Sequence, residues 1–293
     1  MLMPRTSRWA HTGTRNPSFE MSVAQLALET VVVTSRESVA PGFWRVGLRG
    51  PRIARTAGPA QYVATDFPGP FAVRLPLGIW TVEGDEFTLL FREWGERTEQ
   101  LARVVPGMEL SVIGPLGNRF DVPPKGTRAT IVAGGIGIVP FWLLGKALIE
   151  ADVETRAIVG ARTRSMLAGV DELRDLGLSI QICTDDGSAG EKGNVLDLLR
   201  AQSPTDMLYG CGPPAMLRAL CEHAISANIK CQISMEETFG CSMGTCWGCV
   251  VPLRCGSGQA TGYPKAKEEE RAFDLSRVCT DGTVYTAADI VWQ

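Results

Sequence analysis

Ala129-Thr-Ile-Val-Ala133, running into Gly134-Gly-Ile-Gly-Ile-Val-Pro140, is the stretch on which the fold turns. Its first five residues are largely apolar without alternation, the pattern of a strand buried on both faces in a parallel sheet. Glycines at the carboxyl end of such a strand let a flat or anionic ligand approach the backbone. The helix that follows, Phe141 to Ala151, turns its N-terminus toward phosphate. Pro140 suits a first helical position. The run is not the G-x-G-x-x-G dinucleotide fingerprint, because proline takes the last place, and a tight βα turn without a ligand would read the same.

Downstream the rhythm repeats. Strands are expected at Thr155–Gly160, Leu178–Cys183, Thr205–Gly210 and Cys231–Met235, with helices at Met166–Leu176, Val195–Ala201 and Pro213–Ala227. Strand–helix alternation at this pace predicts a parallel α/β domain. Two more glycine-rich loops fall at strand carboxyl ends. They are Thr184-Asp-Asp-Gly187, with Gly190 and Gly193 behind it, and Gly210-Cys-Gly-Pro-Pro214. Each could be plain turn chemistry; together they favour one nucleotide crevice.

Upstream the pattern is β. Short strands are expected at Glu29–Thr34, Phe43–Leu48, Gln61–Val63, Phe71–Arg74, Phe87–Phe91 and Glu109–Ile113, punctuated by Gly and Pro, with one helix at Arg97–Val105. That spacing predicts a closed barrel or a sandwich. Residues 1–22 form a polar tail with Arg5, Arg8 and Arg15. A disordered tail, or a start codon upstream of Met21, is expected rather than a targeting peptide.

At the other end stands Gly240-Cys-Ser-Met-Gly-Thr-Cys-Trp-Gly-Cys249, with three cysteines at C-x4-C-x2-C spacing, and Cys279 follows later. This is the plant-type spacing for an iron–sulfur cluster. Thiolates suit such clusters, and a short glycine-bearing loop can aim its amides at the sulfurs. Zinc is the competing reading. It prefers two C-x2-C pairs or added histidines, whereas no second pair exists and the histidines are His11 and His223. Cys255 competes with Cys279 as fourth ligand by proximity. Cys183, Cys211, Cys221 and Cys231 are expected to be buried small hydrophobes in a reducing cytoplasm.

The chain has 293 residues, 45% hydrophobic and 21% charged, with net charge −3. That is globular composition with room for two domains and a small third. The charge carries no nucleic-acid footprint, and no apolar run reaches the roughly 18 residues needed to span a bilayer. The short charged run Lys265–Arg271 reads as a solvated face.

A β-barrel followed by an α/β domain with Gly-Gly-x-Gly-x-x-Pro and Cys-Gly-Pro resembles the ferredoxin–NADP reductase superfamily. The segment Ser234–Cys249, with Arg277-Val-Cys-Thr-Asp-Gly-Thr-Val-Tyr285 and Gly114-Pro-Leu-Gly-Asn118, resembles the electron-transfer subunits of class B dihydroorotate dehydrogenase. The resemblance runs from about Ala24 to Trp292. It implies an FAD-binding barrel at 23–122, an NAD-binding α/β domain at 123–230 and a 2Fe–2S module at 231–293. It implies FAD contacts at Arg74, Leu75, Pro76, Leu77, Gly78, Leu90, Phe91, Arg92, Gly95, Arg97 and Thr98. NADH contacts fall at Gly134, Gly135, Gly137, Pro140, Cys211, Gly212 and Pro213, and the cluster ligands are Cys241, Cys246, Cys249 and Cys279. NADPH stays open, because Gly160-Ala-Arg-Thr-Arg164 offers two cations for a 2′-phosphate.

Two positions along the flavin edge depart from the family pattern, and a later Gly-x-Gly-Thr reads Gly95-Glu-Arg-Thr98. Where the family commonly has Arg-Arg-Pro-Ile-Ser-Ile, this chain reads Arg74-Leu-Pro-Leu-Gly-Ile79. Leu75 thus replaces a phosphate-binding arginine, and Gly78 a serine near the flavin's reactive nitrogen. Arg97 is expected to replace the missing guanidinium. The implied role is to pass electrons from NADH through FAD and the cluster to an FMN-containing catalytic subunit in a heterotetramer. No general acid–base pair is evident. The rival enzyme class is the flavin subunit of a sulfhydrogenase-like or NAD(P)H–ferredoxin transhydrogenase-like complex. The distant rival is a zinc-stabilised interaction module.

Overall fold

The computed structural model describes residues 26–66, 73–257 and 273–292. The polar tail, the Lys265–Arg271 run and part of the expected Phe71–Arg74 strand lie outside them.

Six antiparallel strands close into a barrel in the order β1-β2-β5-β4-β3-β6. They are β1 (Ala27–Ala40), β2 (Phe43–Arg49), β3 (Tyr62–Asp66), β4 (Leu75–Glu83), β5 (Glu86–Arg92) and β6 (Glu109–Leu116). Closure pairs the first strand with the last, so most of the sheet has no free edge. The single turn α1 (Pro51–Ala54) and α2 (Glu96–Leu101) decorate it. The segment expected at Arg97–Val105 therefore ends earlier.

Strand β4 was not legible as a strand. Pro76 and Gly78 sit where β4 pairs with β3 alone, since its register with β5 begins at Ile79. Proline is tolerated at such an unpaired edge. That corner of the barrel is therefore half-open.

The second sheet has seven strands in the order β10-β9-β8-β7-β11-β12-β15. They are β7 (Arg128–Gly134), β8 (Glu154–Ala161), β9 (Ser179–Thr184), β10 (Glu191–Lys192), β11 (Met207–Cys211), β12 (Lys230–Ser234) and, antiparallel at the edge, β15 (Val284–Thr286). The last parallel strand is thus β12, beyond the Cys-Gly-Pro loop. Central β7 is buried from Ala129 to Ala133, as its unalternating sequence requires.

The helices are α3 (Phe141–Glu150), α4 (Val170–Asp175), α5 (Val195–Ala201) and α6 (Pro214–Ser226). Pro140 is the residue just before α3 rather than its first, because Gly135–Ile138 form a 3-10 turn ahead of it. The helix expected at Met166–Leu176 is split. A 3-10 turn occupies Arg164–Met166, and Gly169 at φ +79° separates it from α4. Asn194 caps α5 by accepting from the N–H groups of Leu196 and Asp197 at 2.9 and 3.2 Å.

The remaining elements are the hairpin β13 (Val250–Leu253) and β14 (Asp274–Arg277), and the turn α7 (Val278–Asp281). One apolar core joins barrel and sheet: Phe43, Trp80, Leu90 and Phe120 pack with Ile131, Phe141 and Trp142. This continuity fixes how the barrel corner faces the sheet. Among the described residues no helix is long and apolar enough to cross a membrane.

Candidate functional site

Two clefts open between barrel and sheet. The first, about 460 Å³, is walled by Tyr62 of β3, Pro76, Leu77 and Gly78 of β4, and Leu90, Phe91 and Arg92 of β5. Its far wall is Ile136, Val139, Pro140, Cys211, Glu236 and Phe239. The second, about 600 Å³, is lined by Gly134, Gly135 and Gly137, by Gly212 and Pro213, and by Arg162, Asp185 and Asn194. The two share Arg92, Trp94, Ile136 and Glu236, so their mouths are continuous.

The floor of the second cleft is glycine packed on glycine. A Cβ on Gly137 would lie 2.5 Å from the carbonyl oxygen of Cys211 and 2.7 Å from the N of Gly212. A Cβ on Gly212, itself at φ +154°, would meet the Cα of Gly134 at 3.0 Å. The loops after β7 and β11 thus touch backbone to backbone, as close ligand approach demands.

The structure gathers most of the expected contact residues here. Pro76, Leu77, Gly78, Leu90, Phe91, Thr98, Pro140 and Cys211 line the first cleft, Gly134, Gly135, Gly137, Gly212 and Pro213 the second, and Arg92 both. Arg74, Leu75, Gly95 and Arg97 line neither. Arg74 donates instead to the Ser111 carbonyl and hydroxyl at 2.9 and 3.1 Å and faces Asp66 at 3.6 Å. Leu75 packs against the barrel core. Arg97 stands in the first turn of α2, where burial lowers its guanidinium and the Asp66 carboxylate opposes that shift. Gly78 has a physical reason. A Cβ there would sit 2.7 Å from Val139 Cγ1, so Val139 fills the volume a larger residue would need.

Of the two expected cations, Arg162 lines the second cleft beside Asp185, whereas Arg164 donates to Ser188 through its N–H and Nε at 2.8 and 2.9 Å. At the shared mouth, Glu236 is exposed as a residue, yet enclosure of its carboxyl by the walls raises its pKa. Burial pushes the Cys211 thiol up as well, so it stays neutral.

The cysteine loop is curled by Ser242 and Trp247 at φ +56° and +57° and by Gly244 at +75°. The curl aims the N–H groups of Met243, Thr245 and Cys246 at Cys241 Sγ, at 3.4, 3.2 and 3.4 Å. Burial alone would raise that thiol, but these donors outweigh it and hold it down to about 7. Cys249 and Cys279 are buried side by side. The Cys279 thiol donates to Cys249, which drops to about 6, and the Val278 N–H donates to the Cys249 carbonyl at 3.0 Å. Cys255 is exposed.

Arg277 braces the loop, donating to the Gly244 carbonyl at 3.0 Å, pairing with Asp281 at 3.0 Å and lying 5.0 Å over Trp247. Among the described residues, no three Cys, His or carboxylate groups converge as a single-ion site. The sulfurs stand instead as two pairs, Cys241 with Cys246 and Cys249 with Cys279. Two thiol pairs with amides aimed at sulfur fit a two-iron cluster held by four thiolates.

Sequence reasoning missed the residues that join these parts. Tyr62 walls the first cleft, donates to the Cys279 carbonyl at 2.8 Å and packs on Phe239 with ring centroids 5.2 Å apart. Its place in a strand was legible, its partner 217 positions away was not. Trp94 carried no motif, and Glu236 lay within the Ser234–Cys249 segment with no role assigned to it.

No family model matches the chain. It is 33% identical over 270 residues, 90% of this chain and 98% of the relative, to the electron transfer subunit of dihydroorotate dehydrogenase B (NAD(+)) of Bacillus caldolyticus. The corresponding subunit of Caldanaerobacter subterraneus subsp. tengcongensis is 33% identical over 80% of this chain and 87% of its own. Among solved structures, a chain of the NADH-dependent reduced ferredoxin-NADP oxidoreductase that carries out flavin-based electron bifurcation superposes with TM-score 0.76, at 23% identity, over 91% of each chain. The cytochrome b5 reductase domain of Ulva prolifera nitrate reductase does so at 0.56, with 18% identity, over 69% of this chain and 93% of that one. These two likenesses bear on the fold.

Proposed function

The chain belongs to the electron-transfer subunits of dihydroorotate dehydrogenase B, and from that membership we propose how its clefts and cysteines divide the work. It is an NAD(P)H-dependent oxidoreductase subunit of the ferredoxin–NADP reductase type. In our reading NADH enters the second cleft, FAD occupies the first, and Cys241, Cys246, Cys249 and Cys279 hold a 2Fe–2S cluster. The flavin supplies two-electron to one-electron conversion, and the cluster carries single electrons outward.

The protein's own part is placement. The touching glycine loops let a dinucleotide lie on the backbone, and the corner of β4 offers a flat apolar wall. Arg92, Glu236 and Glu237 are the charged residues in the lining of the first cleft, and desolvation by the walls raises the pKa of both carboxyls. Asp185 in the second cleft disfavours a 2′-phosphate beside Arg162, which supports NADH over NADPH. The acceptor is the FMN-containing catalytic subunit, assembled with this chain as a heterotetramer in the cytoplasm.

The observation that carries the reading is the continuity of the two clefts, with Tyr62 joining the inner one to Cys279. The test is a visible spectrum of the anaerobically purified protein before and after stoichiometric NADH, with flavin, iron and zinc quantified. Flavin and cluster bands that both bleach support it. A colourless protein with one zinc per chain would overturn it.

A further inference from the structure

Trp94 is 81% exposed, the most exposed large apolar residue described. It stands at the common mouth and lines both clefts. Its backbone is pinned, since the Trp94 and Gly95 N–H groups donate to Thr98 Oγ1 at 2.8 and 3.0 Å. The Arg92 guanidinium lies 5.1 Å from the indole centroid and 5.9 Å from the Phe43 ring. That cation braces the indole from the β5 side. A held indole of this size, wet in the free protein, gains most from a flat partner.

We propose that Trp94 is the platform on which a planar ring of the incoming nicotinamide dinucleotide stacks, with Arg92 beside it to meet the pyrophosphate. The proposal rests on the reading that the second cleft takes that dinucleotide. Two features favour this occupant. The indole borders the cleft whose floor is the glycine pair Gly137 and Gly212. The cation at its side suits a ring tethered to phosphate rather than a bare apolar group. Stacking of this kind tolerates either ring of the dinucleotide, because each has a π-face.

The test is titration calorimetry of the flavin-loaded full chain with NAD⁺ and, separately, ADP-ribose. Trp94→Ala should weaken NAD⁺ binding about tenfold and Trp94→Phe only about threefold, the size of one lost base–aromatic stack. The control Ile225→Ala, at an exposed apolar site on α6, should change nothing. An equal penalty with ADP-ribose assigns the adenine to the indole, and no penalty with ADP-ribose assigns the nicotinamide; both support the platform. Trp94→Ala that binds NAD⁺ within twofold of the parent overturns it. So does a variant that sheds its flavin while its NAD⁺ affinity stays unchanged. A parent protein that binds no NAD⁺ sinks the reading of the second cleft and takes this inference with it.

Discussion

Replacing Gly137 with alanine puts the contact between the glycine loops to its hardest test. The added Cβ would stand 2.5 Å from the Cys211 oxygen, 2.6 Å from its carbonyl carbon and 2.7 Å from the Gly212 N, whereas ordinary contact begins near 3.4 Å. All three are backbone atoms, held in β11 or directly after it between β7 and β12. No side chain can swing away, so the loops must part by close to an ångström. Overpacking of this kind costs about 1–3 kcal/mol. A shift of that size in a positioning loop slows NADH-driven flavin reduction by up to about a hundredfold. Gly95→Ala is the matched control. It has nothing within 4 Å and an extended φ of 177°, and should leave the unfolding free energy unchanged. Gly135→Ala lies between, with open space but φ +57°, and should cost about 1 kcal/mol through strain alone. Urea unfolding and anaerobic stopped-flow read the two effects. Gly137→Ala within about 0.5 kcal/mol of the parent, with an unchanged rate, would refute the backbone-contact argument.

Gly78→Ser should destabilise through Val139 Cγ1 at 2.7 Å, and Val139→Ala should relieve it; additive effects in the double-mutant cycle would remove Val139 as the cause. Arg97→Ala should release flavin on dilution much more readily than Arg119→Ala does. Arg119 is committed to Gln61 at 3.0 Å and to the Thr56 carbonyl, so its loss should appear in unfolding, and equal flavin release would end the case for Arg97. Asp206 is held down to about 2 by hydrogen bonds from Arg128, which tie the starts of β7 and β11 together. Its folded value lies below the ordinary carboxylate value near 4. The pair therefore contributes stability above about pH 4 and loses it as pH falls through 2. Asp206→Asn should flatten the fall in Tm across that window, and superimposable acid limbs would contradict the linkage.

What the residues revealed, and what they hid, divides along physical lines. Ala129–Pro140 announced a buried parallel strand and its glycine turn because both properties are local. The barrel was legible from the spacing of its breakers. Strand β4 was not, since Pro76 and Gly78 are acceptable only where β5 fails to pair with them, and that is a fact of three dimensions. Helix α4 was overextended because nothing in the periodicity shows that Gly169 takes a left-handed angle. At the site, the glycine loops sit where their motifs put them. Arg74 turned to Ser111 and Asp66 instead, partners that close only when β3 and β6 meet. Trp94 belongs to no pattern and Tyr62 only to an expected strand; their importance comes from what they face.

The strand β15 has a consequence for how the protein is made. It covers the outer edge of β12, and it lies beyond Cys279 in the chain. During synthesis the C-x4-C-x2-C loop emerges first, while β12 still offers a bare edge to any passing strand. Only when residues 278–286 arrive does that edge close, and the same few residues bring the thiol that pairs with Cys249. Sealing the sheet and bringing Cys279 beside Cys249 are thus one event, and a chain cut short of it keeps both a bare edge and a Cys249 thiol without that neighbour.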